Sequence, residues 1–182
     1  MPVQTLKGAE RLFDAVQGPL RAPAILDTED WAAAHRQAIA SEEPVLVRVR
    51  HYCDDRGWSL MNLLNGAMSA QGQINFSCQY PGVIKGWHRH RRQTDFWLCA
   101  LGHIKAGIFR ERDGRAWSIV LGEKSPGVLI IPPTLWHGAA TVGPQPAGLL
   151  YYVTHAFDSA DPDEDRRAWN SVAGFNWQVE HR

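Results

Sequence analysis

Cysteine is scarce in this chain, and what there is does not form a pattern. Cys53, Cys78 and Cys99 are widely spaced and odd in number among 182 residues. That excludes a disulfide framework and a Cys-x-x-Cys metal clip, and each reads as a small buried hydrophobe. Net charge is lacking too, because 19 basic residues balance 19 acidic ones. A general nucleic-acid binder is usually basic, so that class is excluded. The local cluster Arg89, Arg91 and Arg92 reads as solvated or interface charge that could still hold a phosphate. No apolar run approaches the ~20 residues that a membrane-spanning helix needs. The first residues carry Lys7, Glu10, Arg11 and Asp14, so no apolar signal core is expected. Internal repeats and low-complexity segments are also missing. The expectation is a soluble, cytoplasmic protein with no membrane and no nucleic-acid partner.

What is present points to a folded β domain. Hydrophobic residues make up 45% and charged residues 21%, the balance of a globular chain long enough to bury a core. Residues 1–26 read as an irregular or partly helical arm, broken by Gly18, Pro19 and Pro23. Residues 28–40 predict a short helix, with Thr28 as cap, Glu29 and Asp30 at its positive end, and Trp31, Ala34, Ala38 and Ile39 on one stripe. After Pro44 the pattern changes to period two. Val45 to His51 predicts a strand, followed by strands over 58–64, 73–79, 83–89, 95–101, 104–111, 115–121, 127–131, 136–142 and 148–156. Asp113-Gly114 predicts a hairpin turn between Arg110 and Arg115. Many short, evenly spaced strands argue for an antiparallel sandwich or barrel. The acidic tail from Asp158 to Asp165 is turn-rich and ends in one predicted helical turn near Arg167.

Two segments carry the chemistry. The first runs from Gly86 to Gly102 and contains His88, His90, Gln93, Asp95 and Trp97; the second runs from Gly127 to His137. On a strand, residues two apart share a face, so His88 and His90 point the same way. An acid after a short turn and a His from a later strand can converge on them. Imidazoles so placed suit either a metal or a proton-transfer site. His35, His51, His103, His155 and His181 have no such context and read as surface or structural.

His88-x-His90, Asp95 and Gly102 resemble the first signature of the cupin superfamily, with Asp where Glu is usual. Gly127 through Pro132 to His137 resembles the second, with Thr134 where Gly is usual. The resemblance implies an all-β cupin jelly roll over 45–182, preceded by an N-terminal arm and short helix over 1–44. A narrower resemblance is to the dTDP-4-dehydrorhamnose 3,5-epimerases. Gly82-Val-Ile-Lys-Gly-Trp-His88 is similar to their Gly-Val-Leu-Arg-Gly-Leu-His, and Ile131-Pro-Pro-Thr-Leu-Trp-His137-Gly to their Val-Pro-Pro-Gly-Phe-Ala-His-Gly. Leu150-Tyr151-Tyr-Val-Thr resembles their Leu-Tyr-Lys-Cys-Thr, Asp54-Asp-Arg-Gly57 their Asp-x-Arg-Gly, and Asp158 through Asn170 their Tyr-x-Pro-x-x-Glu … Trp-x-Asp tail.

The resemblance implies an isomerase or epimerase of a nucleotide-activated 4-keto-sugar, working without a cofactor and usually as a homodimer. His88 would remove the proton next to the ketone, and Tyr151 would return one from the opposite face. Tyr152 adjoins Tyr151, and only one of the pair can face the interior; the match favours Tyr151. Lys85 stands where the family has Arg and would meet substrate or diphosphate as a point charge. His90, Gln93, Asp95, Trp97 and His137 would shape the pocket, with Trp87 and Trp97 as walls. This chain departs from the family at three points. Asp95 stands at or near the family's enolate-stabilising Lys, and His90 replaces a usual Gln. The C-terminal Asp behind the family's catalytic His has no counterpart before Arg182, so Asp95 is the expected orienting acid. The same departures support a rival reading, in which His88, His90, Asp95 and His137 hold iron, manganese, nickel or zinc. A third reading is a non-catalytic sugar-nucleotide-binding module.

Overall fold

The computed structural model describes residues 12–179. The chain order is β1 (Ala24–Leu26), α1 (Trp31–Ser41), β2 (Val45–Arg48), β3 (His51–Asp54), β4 (Gly57–Leu60), β5 (Gln73–Gln79), β6 (Ile84–Arg89) and β7 (Asp95–Leu101). Then come β8 (His103–Arg110), β9 (Arg115–Gly122), β10 (Gly127–Ile131), β11 (Trp136–Val142), β12 (Ala147–Val153) and β13 (Asp165–Arg166). Two sheets face each other as a cupin jelly roll. One has six strands in the order β1-β2-β10-β7-β12-β5, the other five in the order β13-β6-β11-β8-β9; β3 and β4 form a separate hairpin. Among the described residues no helix is long and apolar enough to cross a membrane.

The alternation along β7 explains the layering. Trp97 and Cys99 point between the sheets, into a core with Ile104, Ile108, Trp117, Leu129 and Leu149. Phe96 and Leu98 point the other way, into a second core with Trp31, Ala34 and Ala38 of α1. Both faces of this central strand are therefore covered, and it reads as an almost continuous apolar run. Each fully buried Leu, Ile or Phe contributes roughly 1.5–3 kcal/mol, so the apolar end of the roll carries stability. The polar end is where binding and chemistry can sit.

Several local expectations change. The helix is capped by Asp30, whose Oδ1 accepts from the Ala33 N–H at 2.8 Å. Thr28 Oγ1 instead accepts from the Asp30 N–H at 3.0 Å, just outside the helix. Ile39 falls off the apolar stripe and is 43% exposed. The predicted strand 45–51 divides after Arg48, and the predicted strand 58–64 ends at Leu60, where Asn62 and Leu64 take positive φ. Cys99 is buried, but Cys53 and Cys78 are exposed. Near Arg167 the two-residue strand β13 pairs with β6, and the predicted turn comes just after it as a single turn closed by the Ser171 N–H donating to the Ala168 carbonyl at 3.0 Å. Part of the arm is regular, since β1 lies parallel to β2. Lys7, Glu10, Arg11 and His181 lie outside the described residues.

Asp113-Gly114 closes the β8–β9 hairpin, with Arg110 opposite Arg115. Gly102 closes another tight corner at φ +62°, and a Cβ there would lie 2.3 Å from the Pro146 carbonyl oxygen. Gly102→Ala is therefore expected to cost about 1–3 kcal/mol, read as a fall in Tm. An unchanged Tm would show that this corner has room to relax.

Candidate active site

β6 and β11 run antiparallel, and their register sets His137 directly opposite His88. His90 follows β6 on the same side, and Asp95 opens β7. One ligating atom from each of His88, His90, Asp95 and His137 lies within 4.8 Å of all the others. The His88 and His137 ring centroids are 4.1 Å apart. His137 Nε2 is 3.5 Å from Asp95 Oδ2, and His90 Nε2 is 3.8 Å from Asp95 Oδ1. Asp95 also accepts from Gln93 Nε2 at 2.6 Å and from Trp97 Nε1 at 3.0 Å. The segments predicted to converge do so.

Main-chain carbonyls fix two of the rings. His137 Nδ1 donates to the Leu135 carbonyl at 2.8 Å, and His90 Nδ1 donates to the Asp163 carbonyl. Each ring therefore turns Nε2 toward Asp95. The buried His137 Nε2 has no hydrogen-bond partner. The loop before His137 is held by the Thr134 N–H, which donates to the His90 carbonyl at 2.7 Å.

The charges follow from burial and neighbours. Burial pushes the Asp95 carboxyl up, but His137, His90 and Gln93 outweigh it and hold the group well below the usual carboxylate range. His88 is shifted down as well, for the opposite electrostatic reason: burial disfavours its charged form. Burial, and then His137, push it well below 6.5 against the opposing pull of Asp95. His88 is thus a neutral imidazole at physiological pH. Burial raises the Tyr151 phenol, reinforced by Asp95 and Glu164, so it keeps its proton.

A cavity of about 660 Å³ opens above this cluster, and His88, His90, Gln93, Asp95, Trp97, Lys85 and Tyr151 all line it. Tyr151 sits between Asn75 and Trp97 in the six-stranded sheet. Tyr152 faces the helix side, where its hydroxyl accepts from the Ser69 N–H at 2.8 Å. Lys85 is exposed and donates to Ser77 Oγ at 2.6 Å. Two residues differ from expectation. His137 is 2% exposed and lies outside the cavity lining, behind His88, because its own loop carbonyl turns the ring inward. Trp87 is 1% exposed and packs against Phe175 and Trp177, so it offers no open face to a ligand. Arg89 is no free surface charge either: it bridges Glu111 at 2.6 Å and Asp165 at 2.9 Å.

Sequence reasoning missed one wall of the cavity. Gln73, Asn75, Ser77 and Gln79 line it from β5, and Phe157, Glu164 and Arg166 line it from the tail. The β5 residues were signalled by strict polar alternation along a strand; the tail residues had no periodic signal.

Residues 52–164 match the family described as polysaccharide biosynthesis C-terminal domain. The chain belongs to that family. The spore coat polysaccharide biosynthesis protein SpsL of Bacillus subtilis is 32% identical over 143 residues, covering 74% of this chain and 95% of that one. A Haloferax volcanii protein named "Probable low-salt glycan biosynthesis epimerase Agl13" is 36% identical over 112 residues, covering 58% of this chain and 72% of that one. Among solved structures, a dTDP sugar isomerase from Desulfovibrio desulfuricans superposes with a TM-score of 0.65 at 24% identity, over 74% of this chain and 90% of that one. A Legionella pneumophila 3,5-epimerase in complex with dTDP-4-keto-L-rhamnose superposes at 0.62 with 18% identity, over 75% and 79%. These structural likenesses establish the fold.

Thr134 adopts φ +70°, where a β-branched residue is strained. Thr134→Gly removes roughly 1–2 kcal/mol of left-handed penalty and adds up to about 1 kcal/mol of chain entropy. The Tm is therefore expected to hold or rise, and a fall would show that the Thr134 side chain stabilises the loop.

Proposed function

We propose that this protein is an epimerase or isomerase of a nucleotide-activated 4-keto-sugar, moving a proton at the carbon next to the ketone. The observation that carries the proposal is the placement of His88 and Tyr151. They come from different sheets, yet line one cavity large enough for a sugar nucleotide. Inversion requires a base and an acid on opposite faces of one ring, and two residues from different sheets lining one cavity suit that requirement. The relatives' names, one for spore coat polysaccharide biosynthesis and one for a probable glycan biosynthesis epimerase, support an epimerase with a sugar substrate.

In the forward direction the neutral His88 imidazole takes the acidic proton, and Tyr151 donates its phenolic proton to the other face. Asp95 does not hydrogen-bond His88, so its help is electrostatic. It favours the imidazolium that forms when His88 accepts a proton. Lys85, Gln93 and the amide row of β5 offer donors and acceptors to substrate hydroxyls and diphosphate. The reaction needs no cofactor. We also infer a homodimer, because β5 ends its sheet and leaves Ile74 and Phe76 exposed for a second copy to cover.

His88→Ala is expected to abolish deuterium uptake from solvent at the carbon next to the ketone of a dTDP-4-keto-6-deoxy-sugar. General acid–base groups contribute roughly 10²–10⁴-fold. Tyr151→Phe is expected to keep exchange but lose inversion, because the base can still return the proton on its own face. Undiminished exchange in His88→Ala would refute the assignment of the base.

A second reading has its own observation. His90 and His137 both commit Nδ1–H to a carbonyl, so as neutral rings they aim two bare Nε2 lone pairs at an ionised carboxylate. Acceptors facing acceptors at this depth need a positive charge between them. Either one ring carries an extra proton, or the three imidazoles and Asp95 hold a divalent cation such as Zn²⁺, Fe²⁺, Mn²⁺ or Ni²⁺, a donor set those ions accept. A bound ion would polarise the ketone and stabilise the enolate. This reading expects near-stoichiometric metal by elemental analysis of purified protein and its loss in Asp95→Ala. Fully active protein that is metal-free after chelator washing would leave the shared proton as the answer.

A further inference from the structure

Asp163 holds a turn with its carboxylate and a histidine with its main-chain carbonyl. Oδ1 accepts from the Arg91 N–H at 2.9 Å. Oδ2 accepts from the Arg92 and Gln93 N–H groups, each at 3.0 Å. These are three consecutive amides, and they form the turn that joins His90 to Asp95. The main-chain carbonyl of the same residue accepts from His90 Nδ1. The Asp163 side chain is only 10% exposed. Burial raises its pKa, and the three amide donors lower it below the ordinary value, so it stays ionised at neutral pH. Carboxylate to backbone N–H bonds are among the stronger hydrogen bonds.

On the proton-transfer reading of the site, we propose that Asp163 is a positioning residue that fixes the His90 tautomer and seats Gln93 against Asp95. The carboxylate clamps the turn, and the clamped turn keeps the Asp163 carbonyl in line with His90 Nδ1. That assigns the His90 proton to Nδ1 and directs Nε2 into the cluster. The same clamp sets the turn from which Gln93 Nε2 reaches Asp95 Oδ1 at 2.6 Å. A second consequence follows along the chain. Residues 164–167 continue from the clamp as a strap over β6: Arg166 pairs opposite His88, and Trp87 and Arg167 exchange main-chain hydrogen bonds at 3.1 and 3.0 Å. Glu164 and Arg166 of the strap form part of the cavity wall. One buried carboxylate therefore holds both the histidine turn and the strap beside it.

The neighbouring Asp161 is the internal control. It pairs with the exposed Arg91 and Arg92 side chains at 3.4 and 3.1 Å and reaches no amide of the turn. Asp161→Ala removes the same charge and should leave activity and the His90 signal unchanged.

The test joins spectroscopy to kinetics. In ¹⁵N-histidine protein, the His90 Nδ1–H signal, assigned by its loss in His90→Gln, is expected to be slow to exchange with solvent. In Asp163→Ala that protection should vanish, and kcat should fall by roughly 10–100-fold, by analogy with the cost of removing a partner that orients a metal-binding histidine. Asp163→Asn keeps the volume and part of the acceptor capacity, so it should show a smaller change in the same direction; it serves if the Ala variant does not fold. A folded variant that keeps a protected His90 Nδ1–H and full kcat overturns the proposal. The spectroscopic arm needs no substrate, so a failed epimerase assay with the wild-type protein would refute the functional reading and leave the tautomer test standing. A lost tautomer with unchanged kcat would overturn the link to catalysis.

Discussion

The site depends on one buried carboxylate that cannot be left alone. Asp95 is 2% exposed, and an unpaired ionised carboxylate at that depth would cost several kcal/mol. The structure gives it an indole N–H and an amide N–H as donors, and sets two imidazole Nε2 atoms 3.5 and 3.8 Å away, which complete its pairing when a proton or a cation lies between. Three of those partners are held by something further out. Leu135 and Asp163 lend carbonyls to the imidazoles, and the Asp163 carboxylate pins the turn that carries Gln93. The polar cluster is thus built outward from the need to satisfy Asp95, and the antiparallel register of β6 and β11 delivers His88 to its edge. A half-satisfied network of this kind would be worse than an apolar core, so local loosening should propagate through the cluster.

The division of the roll into an apolar end and a polar end follows from the same strands. Along β7 the inward residues run Asp95, Trp97 and Cys99, and they pass from the cluster into the apolar core within two steps of the pleat. Along β12 the inward Tyr151 and Leu149 do the same. One strand therefore carries both a catalytic-type side chain and a packing side chain. The rigid core fixes the position of the first by burying the second.

The strands with the clearest bounds were legible in the sequence. Segments 73–79, 95–101, 127–131 and 136–142 coincide with β5, β7, β10 and β11. Each is an alternating or continuous apolar run closed by Gly, Pro or polar residues. The four members of the cluster were legible as well, because strand alternation and the two motifs name them. The rest needed partners that a linear reading does not see. Asp30 displaced Thr28 as the cap because its side chain reaches the Ala33 N–H. β13 exists only because β6 offers it an edge, and its own residues, Asp165 and Arg166, carry no strand signal. β5 is inside out: its polar side faces the cavity while Ile74 and Phe76 face solvent. Alternation alone shows that such a strand has two faces, and only its neighbours show which face is interior. His137 was placed in the cluster by its motif, but its withdrawal behind His88 depends on the Leu135 carbonyl, which is a matter of loop geometry.

A carboxylate at the centre of the cluster constrains how an enolate can be tolerated in the proposed reaction. A lysine would face the enolate oxygen with a positive charge. Asp95 brings a negative charge into the same region, and the compensating positive charge must come from the imidazoles or from an ion they share. If His88 alone takes the proton, the ion pair it forms with Asp95 is internal, and the enolate must look to Lys85, Arg166 or the β5 amides for stabilisation. If a cation sits in the cluster, the cluster can itself face the enolate as a net positive group. Both arrangements keep His88 as the proton acceptor only while one of its nitrogens is free, and a metal bound through His88 would take that lone pair. The base and the ion therefore compete for one atom. A metal-bound form of this site would have to pass the proton to a different group, of which Tyr151, already lining the cavity and holding its proton, would need to lose it first. Burial, and then Asp95 and Glu164, all resist that loss, which is the electrostatic argument behind proposing a free imidazole as the base.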